Sequence, residues 1–263
     1  MGNRATRSLA VANEKGGVGK TATVVNLAAA LSRMEKKILV VDMDPQANAT
    51  KGLGVEIPEE TSSIYDLMMT PDQTDINSVL IKTAWEGLDL IPSHPDLAGA
   101  EIELVDEEGR EMRLADALQG ITASNAYDFI FVDTPPSLSL LTVNVFTYAH
   151  EVLVPCQTHP YAFGALEELF DTIEAVQEEI NPSLKIIGIV PTLHDQRTRI
   201  SAQILEQLKT DERYRDLLFD TSIRINTLIA ESANVGKPVV FYRQSSYGTK
   251  DYTQLAQELM NRG

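Results

Sequence analysis

One short run concentrates the chemistry this sequence could do: Lys15-Gly16-Gly17-Val18-Gly19-Lys20-Thr21, with Ala22 completing it. The apolar run Ser8 to Ala12 precedes it, and a stretch of helical length, Thr21 to Met34, follows. Glycines between a strand and a helix let successive backbone N–H groups turn towards one point, and the helix N-terminus adds positive potential there. Such a concave set of donors suits phosphate oxygens. Lys20 then reaches the β- and γ-phosphates of a nucleotide, and the Thr21 hydroxyl takes one position on Mg2+. The usual pattern places glycine where Glu14 stands, so the first turn of this loop departs from it.

Carboxylates stand where such a site needs them. Asp42 and Asp44 follow the apolar run Ile38 to Val41, and Asp133 follows Phe129 to Val132. In open α/β sheets ligands bind at the carboxyl edge, where strand-end residues point. Two carboxylates spaced two apart share a face, although Pro45 forces a turn that separates them. Asp133 would hold Mg2+ through water, and Mg2+ keeps several waters and takes few protein ligands. Asp is also an ordinary choice for capping a strand end.

The elements that must position these groups are legible as a pattern. Val- and Ile-rich runs without polar alternation recur at Ser8 to Ala12, Ile38 to Val41, Leu88 to Ile91, Phe129 to Val132, Val152 to Pro155 and Ile186 to Val190. Such runs suit strands buried on both faces of a parallel sheet. Between them lie amphipathic stretches, including Thr21 to Met34, Ala162 to Ile180 and Ser201 to Lys209. The alternation reads as repeated βα units. We expect an α/β fold, with a mostly parallel twisted sheet and helices on both faces, formed by residues 1–263 as a single domain. Asn181-Pro182 ends the longest helix, and Tyr252 to Met260 forms a terminal helix packed on the sheet. The acidic stretch Glu101 to Glu111 is a surface excursion, expected to be helical with a break at Gly109.

Composition narrows the setting. The net charge is -16, but residues 1–184 carry 11 Lys+Arg against 29 Asp+Glu while residues 185–263 carry 11 against 9. Binding phosphate backbones needs clustered cations, so any nucleic-acid contact belongs to the C-terminal part. Cys156 is the only cysteine, which excludes an intramolecular disulfide and leaves a cysteine-based zinc site without ligands. It reads as a small buried hydrophobe. His94, His150, His159 and His194 lack ligand spacing and read as surface or strand-end residues. Tyr65, Leu67, Met68 and Met69 read as helix packing, and Trp85 as a weak candidate interface anchor. Met1 to Arg7 is short and polar, and Leu9 to Ala12 is too short for a leader or a span, so a cytoplasmic location is expected.

Three ordered segments together resemble the ParA/Soj partition ATPases, relatives of MinD and of nitrogenase iron protein. They are Glu14 to Thr21; Val41-Asp42-Met43-Asp44-Pro45-Gln46-Ala47-Asn48-Ala49-Thr50; and Phe131-Val132-Asp133-Thr134-Pro135-Pro136. Pro92 to Val105, Asp195 to Ser201 and Gly236-Lys237-Pro238-Val239 are similar to that family as well. The resemblance implies a deviant Walker A, P-loop NTPase fold and an Mg-dependent, slow ATPase. It makes Lys15 the signature lysine that crosses an ATP-bound homodimer to the partner subunit's phosphates. It makes Asp44 the switch I residue that orients the attacking water, with Asp42 supporting the metal shell. It also implies a ParB-like partner with a basic N-terminal tail, a nonspecific DNA track and a nucleoid-associated location.

The sequence departs from the family where DNA contacts are expected. Chromosomal members read Ile-Pro-Arg-Asn-Val-Arg-Leu-Ser-Glu-Ala before Gly-Lys-Pro-Val. This chain reads Ile223-Arg224-Ile225-Asn226-Thr227-Leu228-Ile229-Ala230-Glu231-Ser232, with Leu228 in place of the second arginine. Arg197 matches a basic position of the family, and Arg199, Arg213, Arg215 and Arg224 are further DNA-binding candidates. Four readings follow: a partition motor on DNA, an ATP-gated regulator of the same fold without a DNA track, a MinD-like membrane-cycling ATPase and, weakest of the four, a metabolic P-loop kinase or reductase. Tyr252 to Gly263 holds one basic and one acidic residue, too few cations for a membrane-seeking helix, so no membrane partner is expected. A single cysteine cannot hold an iron–sulfur cluster, which excludes a close functional copy of the iron protein.

Overall fold

The computed structural model of the chain describes residues 5–262 apart from 59 and 72. Part of the polar N-terminal stretch Met1 to Arg7, namely residues 1–4, therefore lies outside the described residues. In chain order the first elements are β1 (Arg7–Val11), α1 (Lys20–Ser32), β2 (Ile38–Asp42), α2 (Asn48–Gly52), α3 (Ile64–Met69) and α4 (Ile76–Val79). There follow β3 (Ile81–Lys82), β4 (Leu88–Ile91), α5 (Leu97–Glu103), α6 (Arg113–Ser124), β5 (Phe129–Asp133), α7 (Leu140–Tyr148) and β6 (Glu151–Gln157). The last are α8 (Ala162–Glu179), β7 (Lys185–Thr192), α9 (Arg199–Thr210), α10 (Thr227–Asn234), α11 (Val239–Tyr242) and α12 (Tyr247–Asn261).

All six apolar runs are strands, joined in the order β3-β4-β2-β5-β1-β6-β7. Every pairing is parallel except the two-residue β3, which runs antiparallel to β4 and has no counterpart in the apolar pattern. Alternation along each strand feeds two cores. Leu39 and Val41 of β2, with Ile130 and Val132 of β5, meet α3, α5, α6, α7, α8 and α9 on one face. Ile38, Val40, Phe129 and Phe131 meet α1, α11 and α12 on the other. Helix α1 is buried almost all round beneath α12, which holds the segment opening at Lys20 rigidly against the sheet.

Two expectations change. Helix α5 ends at Glu103, well before Gly109, which instead sits in a turn with φ +67°. Leu104 caps the helix, its N–H returning to the Ala100 carbonyl while its side chain folds into the core, and the acidic run Asp106, Glu107 and Glu108 follows outside the helix. Trp85 is no exposed anchor: its ring stacks on Phe241 at 4.6 Å and packs against the α1 core. Tyr65, Leu67, Met68 and Met69 do pack on α3 as expected.

Candidate nucleotide site

Strand β1 is central, and its loop leaves the carboxyl edge between β5 and β6. Gly17 (φ +76°) and Gly19 (φ +91°) take left-handed backbone that side-chain-bearing residues rarely adopt, and Gly19 caps α1. Among the described residues, the N–H groups of Gly16, Gly17, Val18 and Gly19 have no protein acceptor. Unpaired backbone donors at a helix N-terminus favour an anion. The loop is fastened from both sides: the Thr192 hydroxyl donates to the Val18 carbonyl at 2.7 Å, and the Thr134 hydroxyl donates to the Val11 carbonyl at 2.9 Å.

Asn13 was missed by the sequence reading. It is buried, its Nδ2 donates to the Pro155 carbonyl (2.8 Å), and its Oδ1 accepts the Lys15 N–H (2.9 Å). It thus bolts the start of the loop to β6. Glu14, which replaces the usual glycine, is half-buried against Glu168 of α8; burial first, then the hydrogen bond and charge of Glu168, push its carboxyl up to about 7. The Lys15 ammonium lies 5.7 Å from the Tyr161 ring centroid, on the outer rim.

Inside, the charges lack ordinary partners. Lys20 is only 7% exposed, and its Nζ has one weak contact, to the Lys15 carbonyl at 3.5 Å. Burial lowers its pKa, and the carboxylates of Asp133 and Asp44 pull it back up. Asp133 is fully buried, with neither oxygen hydrogen-bonded among the described residues. Burial above all, then the charge of Asp42, pushes its carboxyl well above the usual range. The register explains the second cause, because Asp42 and Asp133 are lateral neighbours across β2 and β5. The orphaned Asp133, beside the Thr21 hydroxyl, is the donor set a hard divalent cation would satisfy, so these two residues fit Mg2+.

Asp42 is occupied differently. Its Oδ2 accepts the Thr50 N–H and hydroxyl, both at 2.8 Å, and its Oδ1 accepts the Asp44 N–H at 3.2 Å. It therefore shapes the segment that carries Asp44, with its carboxyl raised to about 6 by burial. Strand β2 ends at Asp42, so Asp44 lies on the turn beyond it, where its Oδ1 accepts the Gln46 N–H at 2.9 Å.

Of two hollows, only the first is lined by residues of the loop. The first, of about 760 Å3, lies beside Thr21 and Ala22, between α1, α2 and α10. The other, of about 590 Å3, lies past β7 and is lined by His194, Arg224, Ile225, Asn226 and Tyr247 among others. His194 is buried at its edge, 2.9 Å by Nδ1 from Ser201 Oγ, and burial lowers its pKa. Cys156 is buried as expected, and burial pushes its thiol up to about 12, so it is no nucleophile.

The cations of the C-terminal part are placed apart from the loop and mostly paired. Arg224 makes a bidentate contact with Asp251 (3.1 and 2.5 Å) and lies over Tyr247. Arg197 grips Asp195 with two bonds of 2.9 Å. Arg213 reaches Asp171 and Glu174, and Arg215 lies 3.7 Å from Asp216. Arg199, at the start of α9, has no ion-pair partner among the described residues.

Comparison with known proteins agrees with this geometry. A family model described as an AAA domain matches residues 6–186. The sporulation initiation inhibitor protein Soj of Bacillus subtilis is 41% identical over 255 residues, covering 97% of this chain and 98% of that protein. The chromosome partitioning protein ParA of Myxococcus xanthus is also 41% identical, over 97% of this chain and 88% of that protein. Among solved structures, a cobyrinic acid a,c-diamide synthase of Mycobacterium smegmatis with a bound ATP analog and magnesium superposes with a TM-score of 0.85. It is 35% identical, over 98% of this chain and 95% of that one.

Proposed function

This chain belongs to the ParA/Soj family of partition ATPases, in the MinD/ParA group of P-loop NTPases, and on that premise we propose that it binds Mg-ATP and dimerises on it. Slow hydrolysis, accelerated by a ParB-like partner, then positions DNA or another large cargo. One observation carries the reading: a buried lysine and a buried carboxylate, Lys20 and Asp133, both lack full partners beside a loop of free N–H groups. A buried charge is costly unless paired, and a nucleotide phosphate with its metal pairs both at once.

The loop amides and Lys20 hold the phosphates, and Thr21 with Asp133 holds the metal. Magnesium, when bound, neutralises phosphate charge and orients the oxygens. Asp44 orients the attacking water, and Asp42 fixes the turn that presents it. Lys15 lies on the rim, where it can leave Tyr161 and reach another subunit's phosphates.

Light scattering with MgATP against MgADP tests the central step. ATP should convert monomer to dimer, Lys15→Ala should bind ATP and stay monomeric, and Asp44→Ala should dimerise without turnover. A Lys15→Ala protein that dimerises like the parent refutes the trans contact. A regulator without a DNA track is the second reading, favoured by the pairing of Arg197 and Arg224 with carboxylates and by Leu228. ATP-specific, salt-sensitive retention on duplex DNA separates the two. Among the described residues no helix is long and apolar enough to cross a membrane.

A further inference from the structure

Four exposed apolar side chains lie on segments that hydrogen bonds tie to one another. Ile102 (77% exposed) and Val105 (54%) lie at and just past the end of α5; Met112 precedes α6, and Leu138 precedes α7. Asn144 ties these segments together, donating from one Nδ2 to the carbonyls of Arg110 (2.8 Å) and Leu140 (3.0 Å) and accepting the Leu114 N–H (3.1 Å). The excursion between α5 and α6 therefore sits on the N-terminal turn of α7, within two residues of Leu138. Exposed apolar groups grouped and rimmed by polar ones mark an interaction surface.

The rim is strongly acidic. Residues 101–113 hold Glu101, Glu103, Asp106, Glu107, Glu108 and Glu111 against only Arg110 and Arg113. Both cations are already engaged, Arg113 with Glu107 at 3.2 Å and Arg110 with the Val105 carbonyl. A second copy of this chain is a poor occupant. Across a two-fold axis the patch would meet its own negative charge, and Arg197, Arg213 and Arg224 are held by carboxylates of their own.

We propose that Ile102, Val105, Met112 and Leu138 with their acidic rim form the docking surface for a basic amphipathic segment of another protein, whose apolar residues cover the four side chains while its Lys and Arg face the carboxylates. This rests on the reading that a basic partner stimulates the ATPase, and it gives that partner a place. The place has a consequence. Leu138 ends the loop that starts at Asp133, and the Thr142 hydroxyl holds that loop by the Ser137 carbonyl at 2.6 Å. A segment gripping Leu138 grips the connection to the buried carboxylate of the nucleotide site.

The test uses the whole protein and two labelled peptides of the same Lys, Arg and Leu content. One has leucines at helical spacing, i, i+3, i+4 and i+7; the other is scrambled. Anisotropy without nucleotide should show the patterned peptide binding at least tenfold more tightly. Ile102→Ser/Val105→Ser/Leu138→Ser should abolish that preference, and Glu107→Lys/Glu108→Lys should weaken binding and flatten its salt dependence. Equal affinity for the two peptides, or undiminished preference in the triple variant, overturns the proposal. MgATP binding and dimerisation are measured separately on the same variants. Loss of ATP-driven dimerisation in the triple variant, with peptide preference intact, also overturns it by assigning the patch to a second copy. A parent that never binds ATP instead refutes the ATPase reading and leaves the peptide result standing on its own.

Discussion

The phosphate end and the C-terminal part of this molecule treat charge in opposite ways. Around the loop, Lys20 and Asp133 are buried without full partners, whereas Arg224, Arg197 and Arg213 beyond β7 are clamped by Asp251, Asp195 and Asp171. A buried charge left open is tolerated where a ligand completes it; a charge closed by its own chain serves the fold. Residue type alone hides this difference, since both regions offer basic residues beside acidic ones.

The largest expected effect tests the open side. Lys20→Ala removes a charge-assisted phosphate contact, which costs about 1.5–3 kcal/mol, or roughly one to two decades in ATP affinity by titration with a fluorescent nucleotide. Its thermal midpoint without nucleotide should hold or rise, because a buried, poorly paired ammonium is lost. A falling midpoint would place Lys20 among the structural charges and break the comparison.

The closed side should respond in stability instead. Arg224 is 27% exposed and Asp251 7%, between the surface pairs worth under about 1 kcal/mol and the buried pairs whose breakage costs about 3–5 kcal/mol. Arg224→Ala should therefore cost about 2 kcal/mol in urea unfolding. Arg224→Ala/Asp251→Ala should recover part of that, since no carboxylate is then stranded. ATP affinity unchanged within about threefold in Arg224→Ala would confine it to the fold, whereas a loss like that of Lys20→Ala would make it part of the nucleotide site.

What the sequence made legible is what neighbours along the chain decide. The glycines and lysines of the loop, the Val- and Ile-rich strands and the carboxyl-edge aspartates are local signals, and each stands where the pattern puts it. The missed parts depend on long-range contacts: Asn13 meets Pro155 across 142 residues, and Arg224 meets Asp251 across 27. Asp42 and Asp133 were both singled out, but only the strand register makes them neighbours. The break assigned to Gly109 weighed a glycine above the buried Leu104 and the run of acid that follows it.

Pairing also changes how a DNA contact is sought. Reversing Arg224 would strand Asp251, so a loss of retention could come from misfolding. Arg199 has no ion-pair partner among the described residues, and Arg197 holds only an exposed local one, so these two can be reversed with little harm to the fold. If duplex DNA is the track, Arg199→Glu should lower the slope of log K against log salt by about one unit at unchanged ATP affinity. An unchanged slope in both variants moves any track to another surface.

The smallest effect belongs to Glu14, where the open side meets solvent. Its carboxyl is raised from its ordinary 4.5 to about 7, by burial first and then by the hydrogen bond and charge of Glu168. The native state thus binds more protons than the unfolded chain between those two values. Stability therefore falls as pH rises through that window, and the loss is complete above about 7. Glu14→Gln keeps the shape and removes the ionisation. It should leave the thermal midpoint unchanged near pH 4.5 and raise it modestly at pH 8, and Glu168→Gln should do the same from the other partner. Lys15 sits next in sequence and faces Tyr161, so the ionised Glu14 also offers that lysine a local counter-charge above pH 7. Glu14→Gln should then ease ATP-driven dimerisation at pH 8 more than at pH 6. A midpoint gain equal at both ends of the pH range would place the benefit in packing and remove Glu14 from the charges left open at this site.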